Sequence, residues 1–107
     1  VTPEVRVTRY EVSCLPPDNT NARYFTITVE WRGGDRWAVC RLGECLGIGG
    51  DWDYESMPSN RTDSWLAAHR FDLETALRFA KVHAPRLTAN GRTVADVLAK
   101  TKETETR

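Results

Sequence analysis

The sequence predicts an α+β domain: an antiparallel meander of about four strands followed by two or three helices, the main helix packed on one sheet face. Two observations carry this. Phe25, Ile27, Val29 and Trp31 alternate with Tyr24, Thr26, Thr28 and Glu30, the period of a strand with one buried and one wet face. Downstream, Leu73, Ala76, Leu77, Ala80 and Ala84 recur at helical spacing and make an apolar stripe that needs such a face to cover it. Leu77→Asp is therefore expected to unfold the domain.

Taken in order, Val5 to Cys14 reads as the first strand. Val5 and Val7 lie in one phase and Tyr10, Val12 and Cys14 in the other, which predicts a bulge near Thr8-Arg9. Leu15 to Asn21, rich in Pro and Asx residues, is a loop. Tyr24 to Trp31 is the second strand, and Arg32-Gly33-Gly34-Asp35 its hairpin turn. Arg36 to Leu42 returns as a third, Gly43 allows a tight turn, and Cys45 to Ile48 follows as a fourth. A short aromatic strand, Trp52 to Tyr54, closes the meander.

Asn60 and Thr62 are both candidate caps for a short helix through Ser64 to His69. The main helix starts at Asp72, whose carboxylate can accept from the free N–H groups of the first turn. Phe71 and Ala76 are spaced for a hydrophobic staple, Glu74 and Arg78 for a surface pair, and Pro85 halts the helix. Thr93 and Asp96 have capping-box spacing before a last helix whose apolar face is Val94, Val97 and Leu98. The domain thus spans 1–100, and 101–107, without an apolar anchor, is expected to be a flexible charged tail.

Fifteen basic and fifteen acidic residues cancel to zero net charge, which argues against a dedicated nucleic-acid binder. No apolar run approaches the roughly 20 residues of a membrane span, and Val1-Thr2-Pro3-Glu4 does not read as a signal peptide. Three cysteines, Cys14, Cys40 and Cys45, an odd number, read as reduced thiols in the cytoplasm.

Candidate chemistry is sparse. Cys40 and Cys45 bracket a turn and could face each other across a hairpin. With Cys14 and His69 or His83 they would form a zinc-compatible set, but without the close paired spacing of zinc ribbons. The expectation is small buried thiols, with no metal and no cofactor. Asp51, Asp53 and Glu55 interleave with Trp52 and Tyr54, so a strand would put acids on one face and aromatics on the other. Such carboxylates could hold a cation or split their pKa values for acid–base work; a wet acidic face that protects a sheet edge explains them better. Gly47-Ile48-Gly49-Gly50 lacks the Lys-Ser/Thr of a phosphate loop. No nucleophile stands beside either histidine in the sequence, so no catalytic residue is assigned.

The residues Trp37-Ala38-Val39, Glu44-Cys45-Leu46, Trp52-Asp53-Tyr54-Glu55, Arg61-Thr62-Asp63, Trp65-Leu66, Arg70-Phe71-Asp72-Leu73 and Asn90-Gly91-Arg92-Thr93-Val94 carry a resemblance. Over 24–99 the chain resembles small uncharacterised proteins of actinobacteria and their phages. That resemblance implies a bacterial or phage cytoplasmic setting and supplies no activity or site residue. A looser similarity, of meander-then-helix order alone, links it to the DNA-binding arms of phage integrases, and fold order does not give function.

The expected function is a non-enzymatic protein-interaction module, phage- or mobile-element-encoded, with Asp51, Trp52, Asp53, Tyr54, Glu55 and Trp65 as its partner surface. The rival is a nucleic-acid-binding accessory protein using the strand arginines Arg23, Arg32, Arg36 and Arg41. The expected partner is a protein, with nucleic acid as the alternative and no membrane; oligomeric state stays open.

Overall fold

The computed structural model describes the backbone of residues 1–105 and the side chains of 1–100. One antiparallel sheet takes its strands in sequence order: β1 (Arg9–Ser13), β2 (Thr26–Trp31), β3 (Trp37–Arg41), β4 (Glu44–Leu46) and β5 (Trp52–Tyr54). The chain is a meander because each connection is short or, between β1 and β2, a loop that returns on itself. Gly33 and Gly34 both take positive φ at the β2–β3 turn. Between β3 and β4 the two-residue turn places Leu42 at φ 49° and Gly43 at φ 83°, the twist that suits a tight hairpin.

Expected boundaries move at the first, second and fourth strands. The fourth is Glu44–Leu46, not Cys45–Ile48, for beyond Leu46 the Ile48 N–H donates to Ala68 O at 2.8 Å and its side chain is exposed. The first strand begins at Arg9, not Val5, and there is no bulge at Thr8-Arg9: the phase change marks the strand's start. β2 ends at Trp31, whose N–H donates to Thr8 O at 2.9 Å, so residues before Thr8 have no strand to pair with and Val5 and Val7 are exposed. Ala22–Phe25 is a tight 3-10 turn that precedes β2, held by Thr26 Oγ1 donating to Ala22 O at 2.6 Å. Trp31, expected inward, lies at the end of the strand with its face to solvent, and its indole N–H donates to Gly34 O at 2.8 Å.

The helices start where their caps predict. In α1 (Asp63–His69), Thr62 Oγ1 accepts from Trp65 N–H at 3.1 Å; in α2 (Leu73–His83), Asp72 Oδ1 accepts from Thr75 N–H at 2.7 Å. Pro85 falls in a single 3-10 turn, Ala84–Arg86, that ends α2. The turn Asn90-Gly91 joins the short strands β6 (Thr88–Ala89) and β7 (Arg92–Thr93), and α3 (Val94–Glu105) follows. Its capping box forms in both directions, Thr93 N–H to Asp96 Oδ2 at 2.9 Å and Asp96 N–H to Thr93 Oγ1 at 3.1 Å. Of the tail expected at 101–107, the backbone through Glu105 belongs to α3; side chains from 101 on and positions 106–107 lie outside the described residues.

α2 packs on β2 and β3. Phe25, Ile27, Val29, Val39 and Leu46 meet Ala76, Ala80 and Ala84, with Val94 and Val97 of α3 completing the core. Alanines at the contact let the helix lie close to the sheet, while Leu73 and Leu77 flank it half-buried. Each large side chain buried here contributes roughly 1.5–3 kcal/mol. Trp37 and Phe71 exchange backbone hydrogen bonds of 2.7 and 3.0 Å, so the sheet sets where α2 begins. Phe71 also meets Phe79 edge-on, ring centroids 5.0 Å apart. Among the described residues no helix is long and apolar enough to cross a membrane.

Candidate functional site

The second face of the sheet carries the polar chemistry. Cross-strand partners share a face, so register alone assembles the row Glu11–Thr28–Cys40–Cys45–Asp53 across all five strands. Cys40 and Cys45 do face each other, as their spacing suggested, with Sγ atoms 3.6 Å apart. A groove of about 930 Å³ opens on this face, with Thr28, Glu30, Arg32, Cys40 and Glu55 among its lining residues.

Glu55 stands two residues beyond Asp53, on the same side of the chain, and turns inward. It does not join an exposed acidic face. Its Oε1 accepts from Arg32 Nε at 3.0 Å and Arg61 Nη2 at 2.9 Å, and lies 3.6 Å from Arg70 Nη2. Oε2 accepts from Arg32 Nη2 at 3.3 Å and from the Cys45 thiol, and lies 3.9 Å from Cys40 Sγ. Burial pushes the Glu55 carboxyl up, but the bonds from Arg32 and Cys45 and the charges of Arg32 and Arg70 outweigh it and hold it below the usual carboxylate range. The Cys45 thiol is pushed up, by its contact with Cys40 first, then by burial and by Glu55. Arg70 is buried to 4% side-chain exposure, and its Nη2 makes no hydrogen bond, so Glu55 is its electrostatic partner.

Asp53 is tied to α1 rather than free. Its Oδ2 is 2.7 Å from His69 Nε2, and His69 Nδ1 is 2.7 Å from the Trp65 carbonyl. A carbonyl only accepts, so the ring meets Trp65 O through an Nδ1–H donor. Gly47 makes room for this contact: a Cβ there would stand 3.1 Å from His69 Nε2. Trp65 stacks on the His69 ring at 4.2 Å, with the Arg70 guanidinium 5.1 Å from its centroid.

The six residues expected to form a partner surface therefore separate. Asp51 and Tyr54 are exposed, Asp53 is exposed on one side and bonded on the other, and Trp52 is half-buried with its ring edge-on to His83. Glu55 is internal, and Trp65 is half-buried beneath two arginines.

The strand arginines do not form one field either. Arg32 is spent on Glu55 and Glu30, and Arg41 donates to the carbonyls of Tyr24 and Thr88, both at 2.7 Å. Arg23 lies over the Tyr24 ring, and only Arg36 is left on the surface without such a contact among the described residues. Arg61 and Arg70 are the functional neighbours that the sequence did not single out. Nothing in their spacing announces them; they reach the cluster from loop and helix end. His69, weighed from the sequence as a zinc ligand beside the cysteines, meets Asp53 instead.

β5 is an edge strand, and its register decides which backbone groups are free. Arg41 and Glu44 flank a two-residue turn and are a hydrogen-bonded pair, so Cys40 and Cys45 are a non-hydrogen-bonded one. Cys45 then bonds toward β5 through Asp53, and Trp52 and Tyr54 direct their N–H and C=O groups away from the sheet. Among the described residues no hydrogen bond joins those groups to another element. Around them Ile48, Tyr54 and Met57 are 70%, 76% and 68% exposed. No protein-family model, curated protein or solved structure matches the chain.

Proposed function

We propose that the protein is a non-enzymatic interaction module that receives an extended basic segment of a partner protein along the free edge of β5. The observation that supports this most is the outward set of backbone groups at Trp52 and Tyr54, a template for one added strand. Tyr54, Ile48 and Met57 offer apolar contact beside it, and Asp51, Asp53 and the exposed Glu44 favour positive charge. Trp65 contributes from behind, by holding the His69 ring that fixes Asp53. A phage or actinobacterial, cytoplasmic setting rests on the sequence resemblance and the odd number of cysteines.

A synthetic extended peptide of alternating Lys and Val is the probe. Saturable binding should protect the Trp52 and Tyr54 amides from exchange, and Asp51→Lys should weaken it. Tyr54→Pro removes an N–H that the sheet does not use, so the fold survives while the added strand loses its donor. Unchanged peptide affinity in a folded Tyr54→Pro variant would sink the reading.

A further inference from the structure

We propose that Cys40, Cys45 and Glu55 form a binding site for a single thiophilic divalent cation of the zinc class, with the two Sγ atoms and Glu55 Oε2 as ligands. The three donor atoms already lie within 4.8 Å of one another. A tetrahedral zinc with Zn–S bonds of about 2.3 Å needs its sulfurs about 3.8 Å apart and each sulfur about 3.5 Å from a carboxylate oxygen. The observed separations are 3.6 Å between sulfurs and 3.9 Å from Cys40 Sγ to Oε2, with Cys45 Sγ in contact with the same oxygen.

The hairpin sets this spacing, because a non-hydrogen-bonded cross-strand pair brings its Cβ atoms closest. Glu55 divides its work suitably: Oε1 is held by Arg32 Nε and Arg61, while Oε2 is the oxygen turned to the thiols. These guanidiniums orient the ligand from outside. Arg32 Nη2, 3.7 Å from Cys40 Sγ, points an N–H at the sulfur, a bond that a metal-bound thiolate accepts more strongly than a thiol.

The nearby arginines are the obvious objection, and charge balance answers it. The cation enters as both thiols release their protons to solvent, so two positive charges replace two and the cluster's net charge is unchanged. Cys40 and Glu55 both line the groove, so the site has a route to solvent and a fourth position for water.

The test uses the whole chain, reduced and stripped with a chelator, then titrated with zinc against a chromogenic competitor and with cobalt(II) as the optical probe. One ion per chain is expected, with about two protons released per ion and a thiolate-to-cobalt charge-transfer band of a tetrahedral site. Cys40→Ser and Cys45→Ser should abolish the band, and Cys14→Ser, at an exposed thiol outside the donor group, should leave it. Glu55→Gln should keep the band but weaken zinc at least about tenfold. Should buried Cys45→Ser fail to fold, the half-exposed Cys40→Ser decides alone. No uptake by the reduced protein, binding that survives Cys40→Ser, or a purely octahedral cobalt spectrum overturns the site.

Discussion

Glu55→Gln is the most informative single perturbation of the fold, because among the described residues this carboxylate is the only acid paired with Arg61 and Arg70, and it shares Arg32 with Glu30. Glutamine keeps the shape and one acceptor but removes the charge and presents an NH₂ where a guanidinium or thiol now donates. At least one charge-assisted bond is lost, at about 1.5–3 kcal/mol, and others weaken. The 3–5 kcal/mol seen for a fully buried pair is an upper bound, since Arg32 and Arg61 side chains keep 26% and 15% of their exposure. The expected loss is therefore about 2–4 kcal/mol, a large share of the 5–15 kcal/mol that holds a typical domain. It corresponds to a fall in Tm of roughly 8–20 °C. The measurement is equilibrium urea unfolding with reductant and chelator present, repeated for Arg61→Met and the double variant. A loss under about 0.5 kcal/mol, or strict additivity of the two substitutions, would refute the view that this carboxylate ties the loops to the sheet.

Three other outcomes are expected. Ala80→Asp, at a position with 0% exposure, should abolish cooperative folding, whereas Leu77→Asp, expected from the sequence to unfold the domain, sits half-buried and able to reach water and should leave it folded but weakened; equal circular-dichroism melts for the two would contradict the packing of α2. Leu42→Asn should raise stability by up to about 1 kcal/mol in urea unfolding, because Leu42 is exposed and holds φ 49° at a turn position that asparagine adopts more easily. Asp72 and Asp96 are held below the usual carboxylate range by the N–H groups of Thr75 and Thr93. Their contribution is complete above the unfolded value of about 3.9 and is lost as pH falls through the lower folded values. Asp72→Asn with Asp96→Asn should flatten the acid limb of stability between about pH 4 and 2, and an unchanged acid limb would show that other carboxylates govern it.

Short-range physics was legible in the chain itself. Period-two alternation identified Ile27 and Val29 as the inner residues of β2 though it also turned Trp31 inward, 3.6-residue spacing identified α2, and Thr62, Asp72 and Thr93 each marked a helix start through a bond made within three residues. The facing cysteines were readable too, since a two-residue turn determines its own register. What tertiary structure decided is everything that depends on an element arriving from elsewhere. β2 ran out at Trp31 and so left Val5 and Val7 without a partner. Arg61 and Arg70, from the connector and the α1–α2 junction, drew Glu55 out of the acidic strip and into the sheet face. His69, admitted by the missing side chain of Gly47, took one oxygen of Asp53. Alternation tells which residues share a face, but the charge that meets them across space comes from folding, and that is why the strip read along β5 became a strand edge above a thiol–carboxylate cluster.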